Sequence, residues 1–132
     1  MTTYRGDSPG KKVTRARAFL SAAGIMQVGF DIQFKGALCL AGHGGDIGVL
    51  KGFGLDPSKI HAVDYCEDAS EFCQELHPDV NVHHGRVEDA VERLTYNYAH
   101  LDFCGGLTVD NIYATYKAAL HANIDPPNGG VR

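Results

Sequence analysis

The sequence predicts an α/β fold: a three-layer, doubly wound parallel sheet of about four strands, preceded by an N-terminal helix. Two observations carry this prediction. Short strand patterns, the first of them an apolar run typical of a strand covered on both faces, alternate four times with amphipathic helical stripes, and only a few residues separate one element from the next. The length of 132 residues and the 44% hydrophobic content correspond to one globular unit and exclude a disordered chain.

The first part of the chain, residues 1–35, is predicted to hold one helix and a linker. Ser8 before Pro9 is an N-cap signal, and Gly24 ends the helix. Its buried stripe is predicted to consist of Val13, Ala16, Leu20 and Ala23. Four basic residues fall largely off this stripe and form a solvated face, with a nucleic acid as a candidate ligand: Lys11, Lys12, Arg15 and Arg17. Residues 25–35 form a connection or a short strand.

Residues 36–132 are predicted to form the α/β domain itself. Its strands are assigned to residues 37–41, 60–64, 80–85 and 99–103. Helices are assigned to residues 46–53, to the stripe Ala69, Phe72, Cys73 and Leu76 that ends before Pro78, and to the stripe Val87, Ala90, Val91 and Leu94.

The last helix carries the clearest amphipathic pattern in the chain. Thr108 is a suitable N-cap, and Asp110 is an acid in the first turn. The apolar face of this helix is predicted to consist of Val109, Ile112, Tyr113, Tyr116, Ala119 and Leu120.

In a doubly wound sheet, ligands bind outside the carboxyl ends of the strands. The turn after the first strand, which begins Gly42-His43-Gly44-Gly45, lets the main chain approach a nucleotide-type ligand closely. Asp64 ends the second strand twenty residues after Gly44, where a carboxylate can accept hydrogen bonds from both hydroxyls of a ribose. The sequence therefore predicts a site for a nucleotide-type ligand at this edge.

Acids also follow the third and fourth strands. Glu88 and Asp89 either offset a helix dipole or contact a ligand. Asp102, near the end of the fourth strand, has either a ligand-binding or catalytic role or a structural hydrogen bond, because a carboxylate there is costly to bury without a partner.

In their order and spacing, these motifs resemble those of the class I S-adenosylmethionine-dependent methyltransferases over residues 37–107. The turn with Gly42, His43, Gly44 and Gly45 is similar to the family's glycine-rich first motif, and Asp64 with Tyr65 to its second, ribose-binding motif. Val87 with Glu88 is similar to the third, adenine-contacting motif. Asp102 is similar to the fourth, beside which substrate and methyl donor meet.

The resemblance implies a Rossmann-like core that binds S-adenosylmethionine through these residues, with Asp102 as the catalytic residue and no need for a metal. Two departures concern the methionine end of the donor. Leu40 stands where the family usually has an acid, and Asp46 stands near the place of a third glycine. We therefore expect that end of the donor to be held differently here.

The family's core has seven strands, so the resemblance also implies a core cut short before its fifth strand. The fourth strand would then be an exposed edge, which predicts a homo-oligomer. Two other functions stay open: a non-catalytic remnant or interaction module with the same fold, and a nicotinamide-dinucleotide oxidoreductase. The oxidoreductase is disfavoured because its GxGxxG motif requires glycine or alanine at the third position, where this chain has Ile47.

Composition limits the remaining possibilities. The formal charge of −4 excludes a generally basic, nucleic-acid-coating protein. The sequence shows neither a membrane span nor a signal-peptide pattern, so we expect a cytoplasmic protein. The four cysteines contain no CxxC pair and are predicted to be reduced, buried thiols: Cys39, Cys66, Cys73 and Cys104. The methyl acceptor is not identified by the sequence.

Overall fold

The computed structural model describes residues 9–24, 34–42, 45–103 and 108–123. The strands are β1 (Ala37–Leu40), β2 (Ile60–Asp64), β3 (Asn81–His84) and β4 (Tyr98–His100). The helices are α1 (Pro9–Gly24), α2 (Gly45–Gly52), α3 (Glu67–Leu76), α4 (Val87–Ala90) and α5 (Val109–Leu120). Two 3-10 turns, Pro57–Lys59 and Val91–Arg93, complete the described elements.

The strands form one parallel sheet in the order β3-β2-β1-β4, which confirms the predicted fold class. The chain steps outward from β1 to β3 and then crosses back to place β4 on the other side of β1. The strand order therefore reverses between β1 and β4, and ligands bind at such a crevice in doubly wound sheets.

Both faces of the sheet are covered by helices. Ala37 and Cys39 of β1 point into a core that contains Phe19 of α1, residues of α2 and Cys73 of α3. Leu38 points into a second core with residues of α4 and α5. Because alternate residues of β1 are fully buried on opposite faces, the strand reads as an unbroken apolar run.

The buried face of α1 differs from the predicted stripe. Val13 and Leu20 are about half exposed, whereas Arg15 and Phe19 are buried. The ring of Phe19 packs edge-on against Tyr98, with 5.3 Å between ring centroids, so this face of the helix lies against the sheet. Arg15 therefore points inward, and the prediction that it belongs to a solvated basic face was wrong. Lys11, Lys12 and Arg17 are exposed as predicted, and Ser8 lies outside the described residues.

Helix α5 also presents another face to the core than expected. Its buried residues are the small side chains Ala114 and Ala118, which let the helix lie close to the sheet. Buried Tyr96 donates a hydrogen bond from its hydroxyl to the carbonyl of Ala118 and so fixes that approach. The predicted apolar face is exposed: Val109, Ile112, Tyr113, Tyr116, Ala119 and Leu120.

Two smaller predictions need correction, and residues 34–36 agree with the predicted connection. Within the predicted stripe of α3, Phe72 and Leu76 are about half exposed, and Ser70 joins Cys73 as a buried residue. Strand β4 ends at His100, so Asp102 lies two residues beyond the strand. Residues 34–36 form no strand, and residues 25–33 lie outside the described part.

Two of the cysteines, Cys39 and Cys73, are buried free thiols, and burial raises the pKa of Cys73 to about 11. Cys66 is exposed, contrary to prediction, because it precedes α3 at the sheet edge. Cys104 lies outside the described residues. None of the described helices combines the length and apolar character that a membrane span needs.

Candidate functional site: a cleft at the carboxyl edge of the sheet

A cleft of about 760 Å³ opens at the carboxyl ends of the strands. Every strand contributes to its lining through the turn that follows it: residues 40–42, 64–66, 85–88 and 102–103. Arg15 of α1 and Asn111 of α5 close two further sides. A cleft of this size accommodates a drug- or nucleotide-sized molecule.

The carboxylate of Asp64 joins the first two turns. One oxygen accepts a hydrogen bond from the amide of Gly42 at 3.3 Å, and the other accepts from the amide of Cys66 at 2.9 Å. Gly42 reaches this position with φ +45°, a conformation that favours glycine. The amide of Gly85 donates to the backbone carbonyl of Asp64 at 2.8 Å and ties the third turn to the same point. Asp64 therefore organises the rim of the cleft while its side chain lines it.

Flat and apolar surfaces lie at the β2–β3 end of the cleft. Tyr65, Phe72 and Val87 line it there, with Glu88 adjacent in the chain to Val87. The guanidinium carbon of Arg86 lies 5.9 Å from the ring centroid of Tyr65, within cation–π range. This end of the cleft combines apolar walls with the carboxylate of Glu88. Such a surface fits a planar base, whose ring packs on the walls and whose amino group donates to the carboxylate.

Charged groups gather at the β1–β4 end. His100 Nδ1 lies 2.9 Å from Asp46 Oδ1, and Arg15 Nε lies 3.4 Å from Asp46 Oδ2. Arg15 Nη2 lies 3.9 Å from a carboxylate oxygen of Asp102. The Asp46 and Arg15 side chains are only 9% and 6% exposed, whereas that of Asp102 is 49% exposed. The hydrogen bond to Asp46 raises the pKa of His100 above its ordinary value, which favours its charged form.

The cleft brings together the described members of the predicted site. Gly42, Gly45, Asp64, Tyr65, Val87, Glu88 and Asp102 all line it, and His43 and Gly44 lie outside the described residues. Sequence reasoning missed Arg15, although its spacing of four residues before Phe19 places both on one helix face. The sequence analysis identified Asp46 only as the residue near the place of the family's third glycine, and did not predict its contacts with Arg15 and His100.

Solved structures share this fold, although no protein-family model and no curated protein sequence matches the chain. The plantazolicin methyltransferase BamL, in complex with a triazolic desmethylPZN analog and SAH, matches with a TM-score of 0.68 and 13% identity over 86% of this chain. The sugar N-methyltransferase KedS8 from Streptoalloteichus matches with a TM-score of 0.62 and 16% identity over 98% of it. The chain therefore has a class I methyltransferase fold.

DesVI of Streptomyces venezuelae matches this methyltransferase fold with a TM-score of 0.59 and 18% identity over 82% of the chain. The matches cover 43% of BamL, 46% of DesVI and 55% of KedS8. The chain thus spans about half the length of the methyltransferase-fold structures it resembles.

Proposed function

We propose that this chain is the donor-binding part of an S-adenosylmethionine-dependent methyltransferase. The observation that carries the proposal is the Asp64 carboxylate, which lines the cleft of a methyltransferase fold and is fixed there by the amides of Gly42 and Cys66. The structural neighbour BamL was solved with SAH, which supports this class of ligand.

The residues of the cleft fit such a donor. Asp64 would accept hydrogen bonds from the ribose hydroxyls. The sequence motif of Gly42, His43, Gly44 and Gly45 would supply further contacts to the donor. Tyr65 and Val87 would flank the adenine, and Glu88 would accept a hydrogen bond from its amino group. Bound in this way, the donor supplies an electrophilic methyl group on a sulfonium.

Asp102 is the proposed catalytic residue. Its half-exposed carboxylate lies at the β1–β4 end of the cleft, where an acceptor can approach from solvent. A carboxylate there would orient the acceptor or take its proton. The alternative function is a non-catalytic remnant or interaction module with the same fold.

Titration calorimetry with S-adenosylhomocysteine (SAH) and S-adenosylmethionine tests donor binding. Asp64→Ala should weaken both affinities by about tenfold to a hundredfold, because a charged acceptor of two hydroxyls is lost. Asp79→Ala is the control, since Asp79 pairs with Lys51 outside the cleft. Absence of binding by the wild type at millimolar ligand, or equal affinities of wild type and Asp64→Ala, would refute the proposal.

We also propose a homo-oligomer that covers the β4 edge. In the described part of the chain β4 pairs with β1 alone, and α5 exposes large apolar side chains, Val109 at 83% and Tyr116 at 60%. Leu120→Glu on α5 should shift the mass measured by light scattering toward the monomer. Leu76→Glu on α3, which packs against β2 and β3 and whose leucine is similarly exposed, should not. A strictly monomeric wild type at micromolar concentration contradicts this proposal.

A further inference from the structure

Two histidine rings meet on the face of the sheet that α4 and α5 cover, and we propose that they bind a divalent metal ion of the zinc, copper or nickel type. The facing nitrogens are His61 Nδ1 and His83 Nε2, which lie 3.3 Å apart. Neither ring lines the donor cleft, so this site is separate from the proposed methyl-donor site.

The register of the strands places both side chains on one face. Leu38 of β1 pairs with His61, and Val63 of β2 pairs with His83. Paired residues of a parallel sheet point to the same face, and Leu38 and Val63 both lie in the core that contains α4 and α5. His61 and His83 are therefore diagonal neighbours on β2 and β3, and the two hydrogen-bonded strands fix the separation of their backbones.

The distance between the two nitrogens matches a shared metal ion. Zn–N bonds in tetrahedral sites are about 2.0–2.1 Å long, so two imidazole nitrogens on one zinc lie about 3.3–3.4 Å apart. The separation of 3.3 Å meets this requirement without movement of the strands. In the metal-free protein the two atoms share a hydrogen bond. The shared proton moves to the other nitrogen of its ring when the metal binds, a tautomer change that leaves both rings neutral.

Both rings are held in the protonation state that binds metal. Burial and the neighbouring His83 lower the pKa of His61, and burial and the charge of Arg93 lower the pKa of His83. Both imidazoles are therefore neutral at neutral pH, and the neutral imidazole is the metal ligand. A backbone hydrogen bond with Thr95 also holds the His61 ring, as outer partners do for histidine ligands.

The ligand set selects the class of metal. Imidazole nitrogens suit Zn²⁺, Cu²⁺ and Ni²⁺, whereas Mg²⁺ and Ca²⁺ prefer oxygen ligands. Within the described ranges, no group of three or more His, Cys, Asp or Glu side chains surrounds a metal position. Water molecules therefore complete the coordination, and both rings are only partly buried, which leaves access for them.

Zinc titration of the full chain, prepared without a histidine tag, tests the site. Zn²⁺ at about ten times its dissociation constant should raise the melting temperature of the wild type by about 3–6 °C, because the ion binds the folded state. Mg²⁺ at the same concentration should leave the melting temperature unchanged. His83→Gln should weaken zinc affinity by about tenfold or more, since one of the two protein ligands is lost.

The next residue of β3 provides the matched control. His84 points to the opposite face, and its Nε2 lies 3.0 Å from the carbonyl oxygen of Tyr65. His84→Gln should therefore leave zinc affinity unchanged. Arg93→Gln should increase the affinity, because the positive charge of Arg93 acts on His83 and opposes a bound cation.

A measurement on the wild type keeps the test independent of how the variants fold. Nitrogen NMR spectra of the isotope-labelled histidine rings report which nitrogens bind zinc, and His61 Nδ1 and His83 Nε2 should shift together as zinc is added. No response to zinc, or a response confined to other histidines, would show that the pair is a hydrogen bond only and would overturn the proposal. Equal zinc affinities of His83→Gln and the wild type would overturn it as well.

Discussion

Gly36 occupies the position from which the chain enters β1, and its backbone leaves no space for a side chain. A Cβ there would overlap the carbonyl oxygen of Thr95 and would lie 3.1 Å from that of Lys59. The carbonyl of Gly36 also accepts from the amides of Asn97 and Tyr98, at 3.0 and 3.2 Å, so the backbone cannot move away freely. A glycine is required here by close packing of three backbone segments.

Alanine at this position should therefore destabilise the protein. We expect Gly36→Ala to lower the free energy of unfolding by about 1–3 kcal/mol, the usual cost of overpacking. Gly48→Ala in α2 is the matched control, because a Cβ there meets open space and alanine favours a helix by about 0.5–1 kcal/mol. Urea denaturation of both variants measures the difference. Equal stabilities of Gly36→Ala and the wild type would show that the contact is absent.

The predictability of single residues depended on where their partners lie in the chain. Asp64 could be placed at the rim because a strand end and a glycine turn, both local signals, determine it. The spacing of Arg15 from Phe19 indicates its helix face, but its place in the cleft could not be predicted, because its partners Asp46 and Asp102 follow two different strands. A helix pattern alone assigns an arginine to solvent.

Strands β1 and β2 were predictable as elements because burial of most of their residues produces short apolar runs, whereas β3 was predictable from the alternation of valines with polar residues. Helix α5 shows the limit of the same reasoning. Its stripe of large apolar residues marks an amphipathic helix correctly, yet Ala114 and Ala118 face the sheet. Close approach to Tyr96 favours small side chains, and hydrophobicity patterns give small residues little weight. The exposed stripe motivates the proposed oligomer.

At the scale of the whole molecule, the alternation of elements predicts a parallel sheet but not the order β3-β2-β1-β4. That order brings α1 to the β1–β4 end and so creates the charged end of the cleft. The contacts involved join residues far apart in the chain, such as His100 and Asp46. Local pattern carries no information about them.

The histidines of the two halves of this fold respond to pH in opposite directions. The hydrogen bond to Asp46 raises the pKa of His100, whereas burial lowers the pKa values of His61, His77 and His83. An unfolded histidine has a pKa of about 6.5. The contribution of His100 to the free energy of unfolding is therefore complete below about pH 6.5 and is lost as pH rises through the raised pKa of His100. The contributions of His61, His77 and His83 are present above about pH 6.5 and are lost as pH falls through their lowered pKa values.

The free energy of unfolding should therefore pass through a maximum near pH 6.5 within the range from about 5 to 8. Urea denaturation at closely spaced pH values measures it. His100→Asn should flatten the decline on the alkaline side, because the group that binds a proton more tightly in the folded state is gone. His83→Asn should reduce the decline on the acidic side and leave the alkaline side unchanged. A stability that still declines above pH 6.5 in His100→Asn would show that the contact with Asp46 does not cause it.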